Sequence, residues 1–539
     1  MRMLYLPLAA LAALAAGASP LRADDLLPPS HPIEQAIDHY IDLKLQEDNI
    51  KPAGPADDAT LIRRLTLDLV GRIPTVAESR AYVESTAPDK RVQLVERLLA
   101  SPGFVRHLAT ELDAMLMAGQ RASVRDYLSK ALAAGKSWEQ LYRDLMLPDE
   151  KGPAQKGVSE FLRVRVMDAD RLTGEVSSLF FGVNISCAQC HDHPLVRDWK
   201  QDHFYGMKAF LARTVDAGGV LGEREAGLVK FKTTKGEEKK AEMMFLTGKK
   251  VSSDTTREPT SAEMKQEKEA FEAAKKNKMP PPAPKFSARK QLVDLSLQPE
   301  QRLFFARNIV NRVWYRLLGY GLVKPLDQMH SENLPSHPEL LDFLARDMAA
   351  NGYHLKRLIR GVVLSKTYGR GSRWESPSPP LQYFFAVARV RPLTPMQLAL
   401  SLRLATTDQS RFAALKPDEV EKQLEAQESS ARGFASTMDY PTEDFQVSVT
   451  EALLFSNSAR MSQEFLTDGG DRLVGRLKGL KDRKEIIDTA VRTVLSRVPL
   501  PDEVSLMDSY LKQREDRPVE ACRQLVWALL TCAEFRFNH

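Results

Sequence analysis

Cysteine and histidine are scarce in this sequence, which has four cysteines and ten histidines among 539 residues. Four cysteines are too few to form a disulfide scaffold in a chain of this length. The net charge is only +5, and no dense run of lysine and arginine alternates with aromatic residues, so nucleic-acid binding is disfavoured. A Gly-rich phosphate loop, a nucleophile elbow and an H-E-x-x-H motif are also missing, which disfavours P-loop enzymes, serine hydrolases and common metalloproteases.

Long apolar runs are missing too, except at the N-terminus. Residues 1–23 begin with a basic Arg2, continue with an apolar run over about residues 4–16, and end with small residues before Asp24. This order is typical of a secretory signal peptide, and the apolar run is too short to span a bilayer comfortably. We therefore expect a periplasmic or secreted protein with no transmembrane span in its mature form.

The rest of the sequence predicts a mainly α-helical fold, because apolar residues recur at three- and four-residue spacing over most of its length. Residues 24–214 and 290–539 are predicted to form two helical domains. Residues 215–289 between them contain glycines and β-branched residues, then a highly charged stretch ending in KMPPPAPK. This composition predicts a small group of strands, a solvated helix and a Pro-rich linker.

Several polar residues carry local structural signals. Thr75 with Glu78 and Thr394 with Gln397 are predicted capping boxes, and Ser336 is a predicted N-cap. A surface set of ion pairs is predicted for Arg63, Arg64 and Asp68. Two roles are open for Asn308, Asn311 and Arg312. They are either buried structural polar groups or residues that line an interdomain cleft. Two interpretations are also open for the polar residues Asp327, His330, Glu332 and His337. They form a solvated loop, or they supply metal ligands or acid–base groups.

The segment CAQCH, residues 187–191, holds half of the cysteines, and it matches the C-x-x-C-H pattern of covalent haem attachment. Cys187 and Cys190 would form two thioether bonds to one haem c, and His191 would be an axial ligand of the iron. Two other interpretations are open. The same residues with His193 suit a zinc-type metal site, and the two cysteines alone suit a disulfide without any cofactor.

Residues around this segment are candidates for supporting roles. We expect the side chains that orient His191 without binding the metal to be among Asp192, Asp198, His203 and Met207. His203 and Met207 are also near enough in sequence to supply a second axial ligand, and Met167 or Met329 would have to reach the iron through folding. The sequence does not decide between these ligands.

These motifs resemble a known pair of families. FFGVNISCAQCHDHPLVRDWKQDHFYGMKAFLART, LIRRLTLDLVGRIPTVAE and LLASPGF resemble the planctomycete-type cytochrome-like family, domain of unknown function 1549. ARNIVNRVWYRLLGYGLVKP, LPSHPELLDFLARDM and RPLTPMQLALSL resemble its usual partner, domain of unknown function 1553. The resemblance implies an exported protein and a haem-binding role for the C-x-x-C-H segment, but it implies no reaction.

The sequence therefore leads to a first hypothesis of an exported, c-type cytochrome-like protein with one haem. Such a protein would transfer electrons or assist a redox step, with another periplasmic or extracellular protein as its redox partner. The alternative is a periplasmic metal-binding protein, or a disulfide-stabilised interaction or scaffold protein. Whether the chain is an enzyme, and which substrate or partner it has, does not follow from the sequence.

Overall fold

A computed structural model describes residues 26–28, 30–149, 152–194, 196–441, 452–453, 455–456 and 458–539. The predicted signal peptide at residues 1–23 lies outside the described residues. The described part of the chain is mainly α-helical and contains several small two-stranded sheets, which confirms the predicted fold class. In that part, no helix combines the length and the apolar character needed to cross a membrane.

In the described residues, ten α-helices precede the β segment. They are Ile33–Glu47, Asp58–Val70, Val76–Glu84, Lys90–Ala100, Pro102–Leu116, Arg125–Ala133, Trp138–Met146, Glu160–Arg163, Ala169–Phe181 and Gln201–Leu211. Two short 3-10 helices are interspersed, Pro153–Gln155 and Ser186–Gln189. The second of these contains the first cysteine of the Cys-x-x-Cys-His segment, so this segment directly follows the helix that ends at Phe181.

The β segment consists of three consecutive antiparallel hairpins. Their strand pairs are Thr214–Asp216 with Leu221–Glu223, Lys230–Lys232 with Glu238–Lys240, and Met243–Met244 with Lys250–Val251. A charged helix, Ser261–Asn277, follows, and Ala274 is the residue it buries. The Pro-rich stretch after this helix leads into the second helical region.

The second helical region contains the remaining described helices. These are Ala288–Ser296, Leu303–Leu318, Pro338–Ala350, Leu355–Leu364, Pro395–Ala405, Pro417–Ala435, Leu473–Lys478, Arg483–Leu495, Pro501–Lys512, Pro518–Thr531 and Ala533–Arg536, with 3-10 turns at Gln382–Phe384 and Gln409–Ala414 and a π turn at Met461–Phe465. A fourth strand pair, Arg391–Pro392 with Phe537–Asn538, ties the C-terminal end to the middle of this region.

The buried apolar side chains form two hydrophobic cores. The first core runs from Ile33 to Ala386 and therefore draws residues from both sides of the predicted boundary at residue 290. The second core contains residues from Leu393 to Phe535, together with Leu67 and Ile73. The N-terminal helices and the helices after residue 288 are therefore held together by shared apolar burial, which is the main favourable term in folding.

Helix Asp58–Val70 lies between these two cores. Its Leu65 and Leu69 belong to the first core, whereas its Leu67 belongs to the second, so the helix is buried on most of its surface. The prediction of a surface ion-pair set on this helix is therefore wrong, because both of its faces are covered by apolar neighbours. The three polar residues are almost fully buried: Arg63, Arg64 and Asp68.

The helix caps show which local signals decide the fold. The capping box Thr75–Glu78 forms, whereas only half of the box at Thr394 is present, in which the side chain of Gln397 accepts from the backbone N–H of Thr394 over 2.9 Å. Ser336, however, is not an N-cap, because the helix starts at Pro338 and His337 occupies the cap position. The backbone N–H of Ser336 instead donates to the carbonyl of Leu322, so a tertiary contact replaces the predicted cap.

Candidate functional site

Gly182 ends the helix Ala169–Phe181 and sets the direction in which the chain enters the Cys-x-x-Cys-His segment. It adopts a left-handed conformation with φ of +69°, which favours glycine. A Cβ atom at this position would lie 2.9 Å from Sδ of Met329 and 3.0 Å from Oδ1 of Asn308. Gly182 is therefore required both by its backbone conformation and by the close approach of the second helical region.

We expect Gly182→Ala to lower the free energy of unfolding by about 2–4 kcal/mol, because left-handed strain and overpacking add up. The matched control is Gly135→Ala, where φ is +77° and no atom lies within 4 Å of the new Cβ. In this control only the left-handed backbone strain lowers the free energy of unfolding, by about 1–2 kcal/mol. Urea denaturation of both variants measures the difference, and equal losses would contradict the close approach at Gly182.

The Cys-x-x-Cys-His segment lies on the protein surface. Cys187 and Cys190 are both exposed, and neither forms a disulfide. His191 is also exposed, and its Nδ1 is 2.7 Å from the backbone carbonyl oxygen of Asp192. A hydrogen bond from Nδ1–H to a carbonyl leaves Nε2 as the nitrogen that is able to bind a metal. Two free thiols and one oriented imidazole thus face solvent together.

The backbone of this segment is held by helix Gln201–Leu211. The side-chain amide of Gln201 donates to the carbonyl of Cys190 over 3.1 Å, and the Tyr205 hydroxyl donates to the carbonyl of Gln189 over 3.1 Å. Asp192, which is predicted to orient His191, accepts from the backbone N–H of Gln201 at 3.1 Å through its carboxylate. It therefore fixes the start of the helix, while its backbone carbonyl contacts the imidazole of His191.

A strand-like segment of the second helical region flanks the site. Val183 and Gln328 form an isolated antiparallel bridge, and the N–H of Asn184 donates to the carbonyl of Asp327 over 2.7 Å. Asp198, the other carboxylate predicted to orient His191, accepts from the backbone N–H of Ser331 over 3.0 Å. The residues on either side of the cysteines are thus bound to the second region, so both regions shape the site.

His330 lies beside this site, a proximity that the sequence analysis missed. Burial, and then the neighbouring His193, lowers the pKa of His330, and its Nδ1 is buried without a hydrogen-bond partner among the described residues. Nδ1 of His193 accepts from the backbone N–H of Val196 over 3.0 Å. The two histidines are more than 130 positions apart in the chain, so no sequence spacing signals their proximity.

The other candidate ligands have different surroundings. Met207 is fully buried in the first core, Met329 is buried against Gly182, and Met167 is 90% exposed. Burial lowers the pKa of His203, and its Nδ1 accepts from the backbone N–H of Lys200 over 3.2 Å. In the described ranges, no three residues of the types His, Cys, Asp and Glu are grouped so that they could hold a metal ion.

Two further polar groups from the sequence analysis are structural. Asn308 and Asn311 are fully buried and bind the carbonyls of Leu179 and Val323, which confirms buried structural roles for these two amides. His337 is buried away from the Cys-x-x-Cys-His segment and packs against Phe385, with ring centroids 5.6 Å apart. Burial lowers the pKa of His337 to about 4, so this imidazole is neutral at physiological pH.

A small cavity adjoins the cysteine turn. It has a volume of about 400 Å³, and Ser186, the residue before Cys187, is part of its lining. Leu116 and Leu179 contribute apolar wall, and Arg171 and Glu175 contribute charged groups. The cavity thus begins one residue before Cys187, and neither cysteine is part of its lining.

These features define a class of protein: two helical regions that share a core, with an exposed Cys-x-x-Cys-His turn between them. Family models identify both regions. Residues 36–216 match PSCyt2, a protein of unknown function (DUF1549), and residues 288–511 match PSD1, a protein of unknown function (DUF1553). The chain therefore belongs to these two families, joined in this order. The searches of curated proteins and of solved structures found no match.

Proposed function

We propose that this protein is an exported c-type cytochrome-like protein that carries one covalently attached haem and exchanges electrons with another protein. The observation that carries this proposal is the exposed Cys-x-x-Cys-His turn, with two unpaired thiols and Nδ1 of His191 directed to a backbone carbonyl. This donor set fits a haem c, for which two thiols and one imidazole from adjacent positions are required.

The chain's own residues would each have a definite role. Cys187 and Cys190 would anchor the group covalently, and Nε2 of His191 would bind the iron, because its Nδ1 is already engaged. When bound, a haem supplies reversible one-electron chemistry. Because the turn is exposed, a partner protein is able to approach the anchored group closely, which supports electron exchange rather than chemistry in a closed pocket.

The choice of the second axial ligand is a proposal as well. Met207 is unsuited, because its side chain is fully buried in the first core and would have to leave it. His330 and His193 suit the role better, since both lie beside the turn and one of them comes from the second helical region. A ligand from that region would explain why the two families occur in one chain.

The test is the absorption spectrum of the full-length chain, exported from a host that has haem-attachment machinery. We expect a Soret band that shifts on reduction and returns on oxidation. Replacing His191 with alanine should change this spectrum, whereas His39→Ala, at another exposed histidine, should leave it unchanged. A matured protein without a Soret band, or with a bound zinc ion instead, would overturn the proposal.

A further inference from the structure

A second, larger cavity lies away from the cysteines. Its volume is about 750 Å³, within the range of small-molecule binding sites. Helix Pro102–Leu116, helix Leu303–Leu318 and residues 389–392 form its walls. Neither the cysteines nor His191 line it, so it is separate from the proposed haem site.

One part of the cavity wall is apolar. Leu112 and Met115 come from the first of these helices, Ile309 and Val313 from the second, and Ile359 from a third helix. Such a wall favours the apolar body of a ligand, at roughly 25 cal/mol for each Å² of apolar surface that is removed from water. The cavity would therefore hold an organic molecule better than a small inorganic ion.

The charged part of the wall is dominated by arginine. Four arginines line the cavity, against Asp68 and Glu111 as the only carboxylates in its described lining. Arg391 is already paired with Asp68, through contacts of 2.8 and 3.0 Å. The positive charges of Arg312, Arg316 and Arg389 are left without such a carboxylate contact among the described residues.

These three guanidinium groups are oriented by neutral acceptors. Arg389 donates to the carbonyl of Gly319 over 2.7 Å, and Arg312 donates to the carbonyl of Ser178 over 2.7 Å. Arg316 donates through Nη2 to the carbonyl of Asp68 over 2.8 Å. Its Nη1 is buried and has no hydrogen-bond partner in the described part of the chain. This N–H is closed off from the cavity, so an anionic ligand would be attracted by the charge of the guanidinium and not by an open N–H.

The other titratable groups in the wall offset only part of this positive charge, since four arginines stand against two carboxylates. Burial raises the pKa of the Glu111 carboxyl, whereas the charge of the nearby Arg316 acts in the opposite direction. Burial, together with the nearby Arg316, lowers the pKa of His107 well below its ordinary value, so this imidazole is neutral. The cavity therefore combines an apolar wall with fixed positive charge.

We propose that this cavity binds an organic monoanion with an apolar body, such as a carboxylate, and that the positive charges of Arg316 and Arg389 attract the anionic group. The ligand class follows from the excess of arginines over carboxylates in the lining, together with the apolar wall. This site does not depend on the haem proposal, because its lining and its ligand are separate from the Cys-x-x-Cys-His turn.

The test is isothermal titration calorimetry of the full chain with 2-naphthoate and with 2-naphthamide, which have the same ring system but differ in charge. We expect 2-naphthoate to bind at least about tenfold more tightly than the amide, since only the carboxylate carries a negative charge that the guanidinium groups attract. Arg316→Met should lose about tenfold in affinity for the carboxylate and leave the affinity for the amide unchanged.

The matched control is Arg307→Met. Arg307 lies on the same helix, is paired with Asp342, and does not line the cavity. It should bind 2-naphthoate like the unmodified protein. If Arg316→Met does not fold, as judged by circular dichroism, Arg389→Met takes its place with the same expected loss. Any one of three results would overturn the proposal. The two probes bind with equal affinity, 2-naphthoate does not bind at millimolar concentration, or Arg316→Met and Arg389→Met bind 2-naphthoate like the unmodified protein.

Discussion

Replacing Asp68 with alanine is expected to lower the free energy of unfolding by about 3–5 kcal/mol. The carboxylate is almost fully buried and accepts hydrogen bonds from the side chains of Arg391, Tyr368 at 2.8 Å and Asn538 at 2.9 Å. Its removal leaves the guanidinium of Arg391, whose side chain is 18% exposed, without its carboxylate partner, and such an uncompensated charge is costly. Urea denaturation followed by circular dichroism measures the loss.

The same helix provides the control. Asp58 pairs with Nζ of Lys90 over 2.7 Å, but its side chain is 40% exposed, so Asp58→Ala should cost at most about 1 kcal/mol. Asp68→Asn keeps the shape of the side chain and removes only its charge. Its loss in free energy of unfolding should therefore lie between the losses of the two alanine variants. The explanation fails if Asp68→Ala unfolds at the same urea concentration as Asp58→Ala.

The burial of Asp68 illustrates why sequence patterns predict one kind of feature and miss another. Thr75 with Glu78 forms its predicted capping box because all the atoms involved lie within one helical turn. Asp68 was predicted to be exposed, because polar residues on a helix usually face solvent. The helix instead lies between two hydrophobic cores, and the second of these is formed mainly by residues more than 300 positions further along the chain.

The candidate site shows the same division. Cys187, Cys190 and His191 were identifiable because their chemistry depends on close spacing in the sequence. The closeness of His330 to His193 was not, because it depends on how the second helical region packs against the first. Local signals thus defined the reactive turn, whereas the tertiary fold determines which distant side chains surround it.

The larger cavity was missed for a related reason. From the sequence, lining an interdomain cleft is one of two alternatives for Arg312, which does line this cavity, whereas Arg316 and Arg389 carry no motif. They become a binding site only when two helices and the segment around Arg391 enclose one volume. Arginines anchored on backbone carbonyls have no signature in the sequence, since the acceptor is present in every residue.

Replacing Cys187 and Cys190 together with serine is expected to abolish covalent haem attachment completely. Both thiols are exposed and unpaired, so the substitutions should change the free energy of unfolding by less than about 0.5 kcal/mol. Loss of the haem would then reflect loss of the attachment chemistry and not of the fold. Intact mass and haem staining after denaturing electrophoresis measure attachment, and thermal denaturation followed by circular dichroism verifies folding.

Cys532→Ser is the matched control, because Cys532 is also a free and partly accessible cysteine but lies beside the second core. It should retain the full mass of polypeptide plus one haem. Each single variant, Cys187→Ser or Cys190→Ser, should hold the haem through at most one thioether bond. If the matured protein without substitutions has the mass of the polypeptide less two hydrogens, Cys187 and Cys190 form a disulfide instead. The double serine variant would then carry no haem either and would lack only this disulfide.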